Sequence, residues 1–244
     1  MYTTYLRDLF HIRRTQIIIL ILAIVSMQET IAQGVGYKRK HLEFYDDKPI
    51  HYGISFGMPF TRYNVQFNQS FLSDPNLINI ETPINSAFRM GFTINKRIND
   101  RFDIRTTPAV SLYDKQLKYS FKDGSSEIEK RESTWIEIPL LLKYKSERRG
   151  NSRMYLMGGF TLGIETNVKR SQGSANTGRL ETKGSDFSID YGIGYEQFFE
   201  FFKFAPELRF SHGLTNIISP TRSTYSGGVN KLTTHTVTLY LNFE

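Results

Sequence analysis

The chain has 244 residues, a formal net charge of +7 and 14% aromatic residues, with Tyr and Phe far outnumbering the single Trp, and its mean hydropathy is −0.37. It contains no cysteine, which excludes disulfide frameworks, thiolate metal sites and lipid attachment through a thiol. A positive balance suits nucleic acid or a surface of anionic headgroups, and the amino-terminal residues choose between them.

Arg7, Arg13 and Arg14 precede the apolar run from Ile17 to Val25, and small and polar residues then lead to Thr30-Ile31-Ala32. This is the pattern of a cleavable secretory signal over residues 1–32. The run is short of the ~20 residues that a spanning helix needs, so an uncleaved anchor fits less well. Removing these residues leaves a net charge of +6, and an exported chain favours lipid over nucleic acid as the anionic partner. No later segment is apolar enough for a transmembrane helix, so membrane insertion requires strands closed into a barrel.

Residues 33–50 form an expected periplasmic leader. Its basic cluster Lys38, Arg39 and Lys40 suits a solvated tail, with headgroup or partner contact as the alternative. Residues 51–244 carry eight candidate strands: 51–68, 86–96, 101–121, 132–145, 153–168, 186–198, 201–214 and 233–243. The connections alternate long and short. Long loops on one side, short turns on the other and an even strand count predict an all-β, eight-stranded antiparallel up-and-down transmembrane β-barrel with both termini in the periplasm.

Period-two patterning assigns the faces. Tyr52, Ile54, Phe56, Met58 and Phe60 alternate with His51, Gly53, Ser55, Gly57 and Pro59; Val237, Leu239, Leu241 and Phe243 alternate with Thr236, Thr238, Tyr240 and Asn242. The apolar, aromatic parity is the lipid face. A soluble lipocalin-like barrel explains the alternation but not so aromatic an outer face. The polar parity lines the lumen, and its glycines make room for a few large side chains. Pro139 lacks an N–H for the ladder, which predicts a bulge or kink in the fourth strand.

The search for chemistry finds no phosphate loop, no metal spacing and no nucleophile elbow, so no cofactor and no enzyme activity are expected. Gly192-x-Gly194 lies inside a strand and reads as lumen packing. Ten charges fall on the lumen parity: Arg89, Asp103, Arg105, Glu137, Lys143, Glu165, Asp190, Glu196, Glu207 and Arg209. Arg89, Glu137, Asp190, Glu207 and Arg209 lie near mid-strand, where a salt-bridge plug or an ion path is possible, and the need to pair buried charges favours the plug. His212 and His235 share the lipid-facing parity near the loop ends of strands seven and eight. A symmetric hairpin would set them opposite each other, as lipopolysaccharide-phosphate ligands, as uncatalytic interfacial residues, or as a base acting with Ser211 or Ser223.

Residues 43–57, with Asp47-Lys48-Pro49 at their centre, resemble the start of the barrel in the PorT family, outer-membrane components of the type IX secretion system. The stretch Trp135 to Tyr144 is similar to a strand of the wider barrel superfamily, and Asp190 to Glu196 and Pro206 to Asn216 resemble its later strands. The resemblance implies an outer-membrane accessory or assembly component that supports export of proteases and adhesins, in contact with other secretion-system membrane components and with outer-membrane lipid and lipopolysaccharide. An eight-stranded lumen is too narrow for folded cargo, so the protein is not itself the protein-conducting pore. An adhesive or structural OmpA-like barrel is the alternative.

Overall fold

The computed structural model describes residues 39–67, 77–121, 126–166, 184–218 and 229–244. The expected signal, Lys38, and most of the long connections lie outside these residues. The described chain holds eleven strand segments: β1 (Ile50–Phe67), β2 (Leu77–Glu81), β3 (Asn85–Ser86), β4 (Phe88–Arg97), β5 (Phe102–Thr106), β6 (Ala109–Phe121), β7 (Ser126–Lys145), β8 (Ser152–Glu165), β9 (Ser185–Phe198), β10 (Lys203–Gly213) and β11 (Val229–Phe243). The segments β3 and β4 form one stave, as do β5 and β6, and every pairing is antiparallel. Eight staves result. The ring closes because β1 pairs with β11 on one side and with β4 on the other, for example through Phe56↔Leu241 and Phe56↔Met90.

Burial alternates residue by residue along each stave, as an inward polar and outward apolar parity requires. On β1, His51, Ser55 and Thr61 are buried while Tyr52, Ile54, Phe56, Met58 and Phe60 are exposed. Comparable apolar rows run along β4, β7, β8 and β11, giving a continuous belt far beyond the isolated patches that a water-facing monomer carries. Lipid is the solvent such a belt needs. The staves exceed the 9–11 residues or so that cross a bilayer, so several project beyond it.

The structure corrects the sequence at three places. Register runs unbroken through Pro139, from Ile138↔Leu162 to Leu140↔Phe160, so β7 has no bulge there. The interruption falls on the neighbouring stave, at Thr107–Pro108 between β5 and β6, where Pro108 itself has no N–H to donate, and the register to β7 is the same on both sides of it. The expected loop 122–131 is mostly strand: β7 starts at Ser126 and pairs with β6 as far as Ser120↔Ser126. Its charged sequence lacks the lipid pattern because this ribbon continues past the hydrocarbon. Likewise β2, within an expected loop, pairs with the end of β6 from Leu77↔Phe121 to Glu81↔Lys118.

Residues 41–49 do not run free of the barrel. A 3-10 turn at Tyr45–Asp47 places this strap over the end that bears both termini of the barrel. The His41 N–H bonds to Asn151 Oδ1 at 2.8 Å, Arg148 donates to the His41 and Leu42 carbonyls, and Arg97 donates to the Asp46 carbonyl. The aromatic ring of Tyr45 stacks on His51 with centroids 4.0 Å apart.

Candidate functional site

The inward parity builds a polar network along the lumen axis. At the terminus end, Glu196 on β9 accepts from Lys143, Arg153 and Lys203, which project from β7, β8 and β10. Lys203 and Arg105 each also reach Glu244 at 2.7 Å. The strap completes this layer, because Arg153 holds Asp46 at 2.9 Å and Tyr45 Oη donates to Glu244 at 2.7 Å. Lys145 pairs with Asp103 at 2.7 Å beside it.

Glu207 is the hub of the next layer. It pairs with Arg209 at 2.6 Å and with Arg105 at 3.2 Å, and accepts from Tyr155 Oη at 2.9 Å. Tyr240 links this layer to the one above: Arg209 lies over its ring at 4.2 Å, and Arg89 donates to its hydroxyl. Arg89 also pairs with Glu137, while Ser111 and Tyr113 donate to that carboxylate at 2.9 and 2.8 Å. Contacts therefore run without a gap from Glu137 through Arg89, Tyr240, Arg209, Glu207, Arg105, Glu244, Lys203, Glu196 and Arg153 to Asp46.

Two glycines give the large rings their space. A Cβ on Gly57 would lie 3.1 Å from Tyr240 Cε1, and one on Gly194 would overlap the Tyr155 ring. Small inward residues beside large ones are how so narrow a barrel fills.

Asp190 stands apart from the ion pairs. Among the described residues its carboxylate is held by hydroxyls, Thr161 at 2.5 Å and Ser188 at 3.1 Å, and by no base. It borders a cavity of ≈ 40 Å³ near the loop end, lined also by Arg89, Lys115, Trp135 and Glu137. That is room for a water or two, not for a hydrated solute or a peptide.

Of the five mid-strand residues named from sequence, the structure brings Arg89 to Glu137 and Arg209 to Glu207, and joins the two pairs through Tyr240. Tyr45, Asp46, Lys145, Arg153, Lys203 and Glu244 are absent from the charges expected from sequence. Lys145, Arg153, Lys203 and Glu244 sit at strand ends, and lumen parity extended to those ends finds them. For the strap no periodic signal exists.

Within the strap, charge and burial act on Asp46 in opposite senses. Burial pushes its carboxyl up, but the Arg153 guanidinium beside it wins and holds it below the usual carboxylate range. Tyr45 is pushed far up by burial and by the Glu244 carboxylate that it bonds, so it stays a neutral donor.

His212 and His235 are cross-strand partners, with their Nδ1 atoms 2.6 Å apart. Ser211 borders the lumen cavity on the other side of the wall, so it is not placed for these imidazoles; Ser223 lies outside the described residues. Among the described residues no three His, Asp or Glu side chains gather as metal ligands.

Several solved structures are similar to this chain. Neisserial surface protein A matches at 9% identity with a TM-score of 0.43, over 80% of this chain and 98% of its own. Ail, the attachment invasion locus protein of Yersinia pestis, matches at 11% identity with a TM-score of 0.36, over 80% and 98%. The outer membrane protein OprG of Pseudomonas aeruginosa matches at 12% identity with a TM-score of 0.43, over 78% and 94%. No curated protein matches the chain. Residues 30–219 match the family described as outer membrane protein beta-barrel domain. A closed eight-stave barrel with a lipid-facing aromatic belt and a matching family over most of its length identify the chain as an outer-membrane β-barrel protein of that family.

Proposed function

We propose that the protein is a non-conducting accessory of outer-membrane protein export, a PorT-like component of the type IX secretion system that acts through its surface and not through its lumen. Both termini then face the periplasm, and the longer connections face outward. The filled lumen carries this reading: charged layers and the strap leave no passage for a polypeptide, so any role in export must fall to the wall, the loops or the residues ahead of His41. The likeness of residues 43–57 to the PorT family supports the choice of machine. The docked strap narrows the choice of surface, since residues 41–47 are already engaged by Arg97, Arg148 and Arg153.

Deletion of the gene tests it. The proposal expects proteases and adhesins to be lost from the medium and retained in the periplasm. Export should return with a barrel carrying Glu137→Gln or Asp190→Asn that folds. Normal secretion with lost attachment would favour the adhesive OmpA-like role, and an altered acylation pattern of the lipopolysaccharide would favour a lipid enzyme.

A further inference from the structure

On β1, β10 and β11 the outward rows change character from one register step to the next. Phe60, Val237, Phe210 and Tyr191 are register partners across β1, β11, β10 and β9, and form an apolar and aromatic row. The next outward row towards the loop end is Arg62, His235, His212 and Ile189. Three groups able to carry positive charge thus adjoin one another one register step beyond that apolar row, while the wall beside them stays apolar at Ile189, Leu162 and Ile164.

Hydrogen bonds tie this row together. Asn64 Nδ2 lies 3.3 Å from His235 Nε2, the two imidazoles meet at Nδ1, and His212 Nε2 lies 2.9 Å from Tyr191 Oη. The neutral pair satisfies this chain in one direction: Asn64 donates to His235, His235 to His212, and His212 to Tyr191. One added proton goes to His235 Nε2, with Asn64 turning its amide oxygen towards it, and the charge is shared across the Nδ1 contact; a second, on His212 Nδ1, breaks that contact. Arg62 is exposed and makes no ion pair among the described residues. On β1, β9, β10 and β11 every described Asp and Glu lies on the inward parity, so the row has no acid of its own.

We propose that Arg62, His235 and His212 form a binding site for the phosphate monoester of a membrane-lipid headgroup. Arg62 supplies a fixed cation with a planar donor fork, and the imidazoles add donors and a shared proton that an anion favours. The apolar row beneath receives the acyl chains of the same molecule, which a free phosphate lacks. A divalent metal on the two imidazoles is disfavoured by the adjacent guanidinium and the missing carboxylate. Interfacial position alone would not select for phosphate; the acid-free row does.

Full-length mature protein in nanodiscs of phosphatidylcholine, with and without phosphatidic acid, tests the site by native mass spectrometry of retained lipid. The expected result is a preference for phosphatidic acid of about tenfold, a free-energy difference that one charge-assisted contact supplies. Arg62→Gln with His235→Gln should abolish the preference while heat-modifiable gel mobility, which reads folding, stays unchanged; Arg62→Lys should retain part of it. Equal retention of the two lipids, a preference indifferent to the double variant, or displacement by inorganic phosphate as effective as by the lipid would overturn the proposal. Tight Zn²⁺ binding that the double variant removes, with no lipid preference, would also overturn it.

Discussion

Asp46, ahead of the first strand, and Arg153, at the start of β8, form an ion pair at 2.9 Å, and Arg153 also holds Glu196 on β9. One guanidinium therefore fastens the strap to the wall and to the lumen network together. Asp46 keeps part of its surface in water, which weakens the pair relative to the fully buried ones.

The strap should respond to acid. Because Arg153 lowers the folded-state pKa of Asp46 below its ordinary value of 3.8, the pair stabilises docking at higher pH, and the contribution is lost as pH falls through the folded value. Protection of the amides of residues 41–47, measured against their intrinsic exchange rates at each pH, should be high at neutral pH and fall below that range. Asp46→Asn should show the lower protection already at neutral pH while the barrel strands stay protected. Equal exchange in both proteins would mean that the backbone contacts of His41 and Leu42 hold the strap without the ion pair.

Glu207 should be the least replaceable carboxylate in the lumen. It is fully buried and compensates Arg209 and Arg105 while accepting from Tyr155. Glu207→Leu takes from Arg209 its ion pair and leaves Arg105 to Glu244, and should cost about 3 to 5 kcal/mol. Glu207→Gln keeps hydrogen-bonding capacity and should cost less. Urea unfolding in detergent micelles measures both; equal midpoints for wild type and Glu207→Leu would remove Glu207 from the hub position.

Gly194 should be intolerant of even one methyl group. A Cβ there overlaps Tyr155, whose hydroxyl must reach Glu207, so the ring has to leave its bond or the wall has to spread. Gly194→Ala should cost about 1 to 3 kcal/mol. Combining it with Tyr155→Phe should be less than additive, since the hydroxyl contact is already lost in the first variant. Strict additivity in a double-mutant cycle would refute this coupling.

Inside the lipid belt, the sequence carried the fold in plain view, because one parity must face hydrocarbon and the other cannot: Ile54 and Phe56 against Ser55 and Gly57 need no further context. The lumen charges were legible for the same reason. Which charge meets which was not, since Arg89 to Glu137 and Arg105 to Glu207 depend on stagger around the ring, and single-strand periodicity is silent about stagger. Beyond the belt the signal stops. The ribbon from Ser126 has charged residues without alternation, so it reads as a loop, although backbone pairing continues. Pro139 was legible as a missing donor, but its strand runs on in register, and the interruption falls on another stave at Thr107–Pro108. The strap is held by carbonyls and two side chains, Tyr45 and Asp46, and polar residues before a strand look the same whether docked or solvated.

Conductance across a planar bilayer is the most direct test of the closed lumen on which the account rests. Wild-type protein, folded by the criterion of heat-modifiable mobility, should give no large stable channel, since Glu137, Arg89, Tyr240, Arg209 and Glu207 bridge the bore and the strap covers one end. A wide, steady channel from the wild-type protein would contradict the filled lumen and reopen a transport path through the barrel.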